Sequence, residues 1–85
     1  MATTHFSNAA PDGTASVALA ANPNRVSALF VNTGSVPVYL GPVGVTVATG
    51  IPILTGGSQT DDASVSAWYA ITSGAAGTLV VCEVY

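Results

Sequence analysis

The chain has 85 residues, of which 49% are hydrophobic and 6% are charged, whereas an average soluble domain is about 25% charged. Its charged residues are one arginine, no lysine and four carboxylates. A single cation cannot neutralise a run of phosphates or form a polybasic patch, so charge-driven binding to nucleic acid or to a membrane is excluded. The length allows one domain, and the high hydrophobic content argues against intrinsic disorder.

The N-terminal segment differs from the rest of the chain. Residues 1–14 show no hydrophobic period and end in a turn at Pro11-Asp12-Gly13, so we expect an N-terminal arm followed by a single β domain over residues 15–85. The segment lacks the basic and apolar regions of a signal peptide. Elsewhere, glycine, proline, serine and threonine interrupt every apolar run before the ~18 residues of a membrane helix. We therefore expect synthesis in a cytosol and no membrane partner.

The first half of the domain predicts three strands, over residues 15–20, 25–32 and 36–40. The second of these has apolar side chains on both faces, so we expect it to be central and covered on both sides. Pro37 has no N–H for a ladder, which favours an edge position or a bulge for the third strand. A turn at residues 22–24 and a hairpin-like turn at residues 32–35 separate them.

The second half predicts further short strands. Val43, Val45 and Val47 alternate with small or polar residues, as in a half-buried strand. Residues 51–54 form a short apolar segment that contains Pro52, and residues 58–61 fit a short polar strand. Residues 67–72 and 78–84 are two more strands, joined by a glycine-bearing hairpin loop at 73–77. The pattern predicts an all-β fold, a small antiparallel β-sandwich or barrel of six to eight short strands.

The titratable residues do not form a catalytic pattern. His5 is the one histidine and lies in the predicted arm, and no serine sits in a nucleophile-elbow motif. Asp61 and Asp62 would point to opposite faces of a strand; in a loop they would be solvated or form part of a weak Ca²⁺ site. Cys82 lies in an apolar run, which indicates a buried inert thiol, with an intermolecular disulfide or a reactive thiol as the alternative. We expect no enzyme activity, no cofactor and no resident metal.

Three residues are candidates for contact with a partner. Arg25 is either an exposed residue at a strand start, one half of an ordinary pair with a carboxylate, or a charged contact to a partner. Trp68 and Tyr69 are adjacent on one strand, so their rings face opposite sides: one belongs to the core and the other is exposed or at an interface.

The predicted sheet edges are poorly guarded. Natural edges carry blocking charges, and this chain offers only Pro37 and Pro52 as guards, which leaves the first and last strands with little protection. A small domain without disulfides or metals often gains stability by oligomerising. We therefore expect a partner, or other copies of the chain, to cover much of its surface.

Two stretches of sequence carry a resemblance. Residues 25–41 read RVSALFVNTGSVPVYLG and residues 45–53 read VTVATGIPI; together with Gly57-Ser58 and the closing aromatic strand they resemble small all-β structural proteins of tailed bacteriophages. The resemblance spans residues 25–85. It implies a virion component, most like a capsid decoration (cement) protein that bridges capsid subunits, with a trimer as the favoured homo-oligomer. The implied partners are the major capsid protein or other virion proteins, and the implied location is the virion.

Alternatives within this reading stay open. The chain could instead serve as a fibre, spike, head–tail or tail-associated subunit, or as a carbohydrate- or host-surface-binding module that uses Trp68, Tyr69 and Tyr39. Residues 1–14 are either an arm that orders on the shell, with His5 and Phe6 as anchors, or a disordered terminus. The candidate residues for a capsid or oligomer interface are His5, Phe6, Arg25, Tyr39, Trp68 and Tyr69.

Overall fold

The structure, a computed structural model, describes residues 2–85 and places eight strands and no helix among them. In chain order the strands are β1 Thr4–Ala9, β2 Ser16–Leu19, β3 Ser27–Asn32, β4 Val38–Gly41, β5 Ile51–Ile53, β6 Ser58–Asp61, β7 Trp68–Ile71 and β8 Leu79–Val84. Half of the residues in the interior strands are β-branched or aromatic, types that pack well on pleated sheets. The all-β sandwich predicted from the sequence is confirmed.

The strands form two antiparallel four-stranded sheets. The first sheet has the order β1-β8-β3-β6, and the second has the order β2-β7-β4-β5. The first strand pairs with the last, the second with the second-last, and so on inward to the β4–β5 hairpin. The chain is therefore one long hairpin wrapped into two sheets, which is the eight-stranded jelly-roll arrangement.

The core lies between the two sheets and is small. It consists of nine buried side chains, which alternate along the strands of both sheets. Phe30 and Leu40 are its largest fully buried apolar residues, and Trp68 packs against it from one end. The members are Leu19, Ala28, Phe30, Val38, Leu40, Ile53, Ala70, Leu79 and Val81. A core of this size leaves a domain with little surplus stability.

Two expectations about secondary structure were wrong. Residues 4–9, expected within an arm, form strand β1, which pairs with β8 along its whole length. Residues 43–47, expected to be a strand, lie in a looped connection whose bonds are local, such as Val45 N–H to Pro42 O at 3.1 Å and Gly50 N–H to Thr46 O at 2.8 Å. Alternating valines indicate an extended segment whose valines share one face. The pattern does not show that a neighbouring strand is present to pair with it.

The connections also differ from the expected hairpins. The turns at residues 32–35 and 73–77 carry the chain from one sheet to the other, because β3 and β8 belong to the first sheet and β4 and β7 to the second. The strand β4 is interior, and Pro37 precedes it, so no bulge or edge position is needed. Pro52 does lie on an edge strand, β5. β3 is interior, as expected, but it is covered by the core on one face only, since Leu29 and Val31 are half-buried on the outer face of the sheet.

Candidate assembly surfaces

The guanidinium of Arg25 is buried inside the sandwich, where it pairs with a carboxylate. Its Nε donates to Glu83 Oε2 at 2.9 Å, and its side chain is fully buried. Its Nη1 donates to the carbonyls of Ser64 and Ser66, at 3.3 and 2.9 Å, and its Nη2 donates to the carbonyl of Ala20. Arg25 was a candidate for contact with a partner. It is instead buried, and it forms the ion pair with a carboxylate that was one of the predicted alternatives.

The other carboxylates lie in turns or at a strand end. Asp12 Oδ1 accepts from the backbone N–H of Thr14 at 2.9 Å. Asp61, at the end of β6, accepts from Trp68 Nε1 at 3.1 Å, while Asp62 is exposed. Within residues 2–85 no three histidine, cysteine or acidic side chains converge in a way that could hold a metal ion.

The outer face of the first sheet carries no charged side chain. Directly opposed residues on antiparallel strands share a face, and the register places Phe6, Cys82 and Leu29 in one row across β1, β8 and β3. Phe6 is 74% exposed. Cys82 is half-buried in this row, not sealed in the core as expected. The face comprises Thr4, Phe6, Asn8, Ser27, Leu29, Val31, Ser58, Thr60, Val80, Cys82 and Val84.

The outer face of the second sheet is also uncharged. Its register aligns Val17 with Tyr69 and Tyr39 with Ile71 and Pro52. Tyr39 and Tyr69 are half-buried. The connection over residues 42–50 folds back over one end of this face and buries a valine there. Both broad faces of the sandwich are thus free of charge, and the first combines apolar side chains with uncharged polar ones.

The four sheet edges are not equally protected. The strand β5 contains Pro52, β2 has a register irregularity between Val17 and Leu19, and β6 has four polar residues and ends at Asp61. The strand β1 has six residues, a regular register and no proline or charged residue. Charges, prolines and bulges are the features that normally block edge pairing. β1 has none of them, so it is the edge most open to pairing with another strand.

His5 and Trp68 lie toward the inside of the sandwich. His5 pairs with Glu83 in register and stacks on Tyr85, with ring centroids 3.8 Å apart and planes 8° apart. Its Nδ1 is buried without a hydrogen-bond partner among the residues described. Trp68 tilts against Phe30 with centroids 5.6 Å apart. Neither ring is presented on an outer face, although Trp68 also lines an open depression of about 300 Å³ formed with residues 42, 64, 66 and 67.

The structure regroups the six candidate interface residues. Phe6 lies on the outer face of the first sheet, and Tyr39 and Tyr69 lie on that of the second. Arg25, His5 and Trp68 turn inward, so Trp68 does not join the two tyrosines in one aromatic platform. Sequence reasoning overlooked the role of β3 and β8 in the outer face, although the alternation of Leu29 and Val31 was the signal for it.

Comparisons with known proteins show the fold. No model of a known protein family matches the chain, and no curated protein matches it either. One solved structure that the chain resembles is from the work "Bacillus endospore appendages form a novel family of disulfide-linked pili". The two share 19% sequence identity with a TM-score of 0.64, covering 99% of this chain and 83% of the other.

The described residues form strands and turns only. No helix among residues 2–85 has the length and apolar character needed to cross a membrane. The residues that the sequence analysis singled out are carried by strands and by the turns between them. The chain is thus similar in fold to the solved structure named above, and its own strands form a small jelly roll.

Proposed function

We propose that this protein is a non-enzymatic structural subunit that works within an assembly containing copies of itself. The observation that carries the proposal is the absence of charge from both outer faces of the described sandwich. Isolated soluble domains rarely leave large contiguous apolar patches in water. Here two faces without charged side chains, bearing exposed apolar residues such as Phe6 and Val17, lie on opposite sides of a body whose Cα extents are 39 × 23 × 15 Å.

Burial of these faces against other subunits would add stability that the small core does not provide. Apolar surface removed from water stabilises by about 25 cal/mol per Å², so a modest contact adds an appreciable share to a marginal domain. Phe6 on the first face and Val17 on the second are each more than half exposed. Their burial against neighbouring subunits would cost no desolvation of charge.

The structural comparison supports this proposal. The solved structure that the chain resembles comes from work on Bacillus endospore appendages, described there as a family of disulfide-linked pili. A jelly roll hosts many functions, so the likeness alone does not decide the role. The uncharged faces are the feature of this chain that favours assembly.

The experiment that tests the proposal is sedimentation velocity of the purified chain over a wide concentration range, with negative-stain electron microscopy of the same samples. We expect species larger than the 8.4 kDa monomer, with a population that grows with concentration. A soluble monomer at every concentration, with no particles visible, would contradict the proposal.

We propose capsid decoration as the particular assembly role. It is supported by the resemblance of residues 25–85 to tailed-phage structural proteins and by the jelly-roll arrangement, which is common in viral capsid domains. The partners would be the major capsid protein or other virion proteins, with a trimer as the favoured oligomer, and the protein would reside in the virion.

The capsid role has its own test. Purified protein is mixed with expanded phage heads, and the heads are isolated and examined by electron microscopy. We expect stoichiometric occupancy of symmetry-related positions and heads that resist heat for longer. Self-assembled filaments in the absence of heads, together with no binding to heads, would instead indicate an appendage-type subunit.

A further inference from the structure

We propose that two copies of this chain join through strand β1, antiparallel, about a two-fold axis at Phe6. The first sheets of the two copies would then form one continuous eight-stranded sheet. The inference rests on the proposed function and names the contact through which copies associate. The occupant of the β1 edge is therefore the β1 edge of a second copy.

The backbone of β1 shows which groups face the open edge. Thr3 and Tyr85 exchange two hydrogen bonds, of 2.7 and 3.0 Å, at the start of the β1–β8 ladder. In an antiparallel pair, hydrogen-bonded and non-hydrogen-bonded residues alternate. The N–H and C=O groups of Thr4, Phe6 and Asn8 therefore point away from β8 and are available to another strand.

The outward N–H and C=O groups of one β1 strand can pair with the same groups of a second, antiparallel β1 strand. With a two-fold axis at Phe6, Phe6 of each copy exchanges two hydrogen bonds with Phe6 of the partner subunit, and Thr4 exchanges two with Asn8 of the partner subunit. The side chains of all three residues lie on the outer face. The pairing thus places two aromatic rings side by side and one hydroxyl opposite each amide, which are favourable cross-strand pairs.

The charge pattern favours a symmetric contact between two β1 edges over a symmetric contact between two β6 edges. In a two-fold contact each residue meets residues of its own strand, so any charge there would approach a like charge. The strand β1 has no charged residue, whereas β6 ends at Asp61 and is followed by Asp62. The row formed by Phe6, Cys82 and Leu29 would also continue across the axis without a break in its apolar surface.

The primary test compares two single lysine substitutions on the same outer face. Phe6→Lys places two cations at the proposed axis, and Thr60→Lys is the matched control on the other edge strand of the same sheet, β6. Both side chains are exposed, so both variants should keep the fold, which circular dichroism checks. Sedimentation velocity should show a dimer dissociation constant raised about 100-fold or more by Phe6→Lys and less than about threefold by Thr60→Lys.

Amide exchange measured by NMR gives a second readout that depends on the backbone. On dimerisation the amides of Thr4, Phe6 and Asn8 should become protected, while those of His5 and Ser7 are protected in monomer and dimer alike. In a mixed-label sample we expect a contact between the Hα of His5 and the Hα of Ser7 of the partner subunit, because these residues would face each other in a non-hydrogen-bonded pair.

The outcomes separate this inference from the proposed function. If the wild-type chain associates but Phe6→Lys associates equally well, the β1 contact is wrong and the assembly role stands. If Thr60→Lys abolishes association as strongly as Phe6→Lys, copies join β1 to β6 and the two-fold contact is wrong. If the wild-type chain is monomeric at all concentrations, the proposed function itself fails.

Discussion

The guanidinium of Arg25 joins segments that are far apart in the chain. Its partners are Glu83 on β8, the carbonyls of Ser64 and Ser66 in the connection before β7, and the carbonyl of Ala20 after β2. A buried charge is tolerated because these acceptors replace water. The guanidinium therefore ties two connections of the jelly roll, β2–β3 and β6–β7, to the end of the last strand.

Replacing Arg25 tests how much its ion pair and hydrogen bonds contribute to the free energy of unfolding. Arg25→Met keeps an apolar stem but leaves the Glu83 carboxylate without its ion pair, and we expect a loss of about 3–5 kcal/mol in the free energy of unfolding. Urea denaturation at fixed protein concentration measures it. The control Asp62→Asn, at an exposed carboxylate, should change stability by less than about 0.5 kcal/mol. Equal small effects of both substitutions would mean that the guanidinium is solvated.

Asn32 is a second fully buried polar residue that stabilises a connection. Its Nδ2 donates to the carbonyls of Val36 and Ile53, both at 2.8 Å, and its Oδ1 accepts from the N–H of Gly34 at 2.9 Å. The side chain links β3 of the first sheet to β5 of the second across the turn at residues 33–36. The amide thus satisfies one buried and two partly buried backbone groups.

Removing this amide should be costly. Asn32→Ala leaves two carbonyls and one N–H without partners, and we expect a loss of about 3 kcal/mol in the free energy of unfolding. Thermal or urea unfolding followed by tryptophan fluorescence measures the change. Asn24→Ala, at an exposed asparagine in a turn, serves as the control and should be nearly neutral. A neutral Asn32→Ala would show that this turn is open to solvent.

At the scale of elements, the connection between β4 and β5 is packed onto the sheet that it joins. Val45 is 5% exposed, and a Cβ added at Gly41 would lie 2.7 Å from its Cγ2. A Cβ added at Gly50 would lie 2.7 Å from the Cβ of Tyr39. The two glycines therefore leave the space into which the connection folds.

This packing predicts a coupled pair of substitutions. Gly41→Ala should destabilise the fold by about 1–3 kcal/mol, because the new methyl group overlaps Val45. In the presence of Val45→Ala the same substitution should cost less, since the smaller side chain leaves room. A double-mutant cycle by urea denaturation should give a coupling of about 0.5–3 kcal/mol. Additive effects would show that residues 42–50 do not pack on Gly41.

The sequence predicted the positions of most strands better than it predicted which strands pair. Period-two alternation identified β2, β3, β7 and β8, because it reports which side chains share a face. It carries no information on whether the next strand lies in the same sheet, so the turns at 32–35 and 73–77 were taken for hairpins. Strand β1 was missed because its residues have no apolar alternation, and its pairing depends on the apolar strand β8 beside it. The burial of Arg25 depends on carbonyls from distant connections, which local sequence does not reveal.

At the scale of the whole molecule, charged side chains are scarce and lie away from the two broad faces. The formal net charge is −3, and one carboxylate is neutralised by Arg25 inside the sandwich. Long-range repulsion between copies is therefore weak and is screened within about 10 Å at 0.1 M salt. The attraction between copies would come from apolar burial and backbone hydrogen bonds.

This distribution predicts how association responds to solution conditions. Because no ion pair contributes to the proposed contacts, raising NaCl from about 0.05 to 1 M should leave the association constant unchanged or slightly higher. Sulfate salts should strengthen association, and cooling should weaken it, as expected where apolar burial dominates. Sedimentation velocity in each buffer measures these shifts, with a charged-interface dimer of known salt dependence as the control. Dissociation of the assembly in high NaCl would show that the interface is ionic and involves carboxylates outside the two faces.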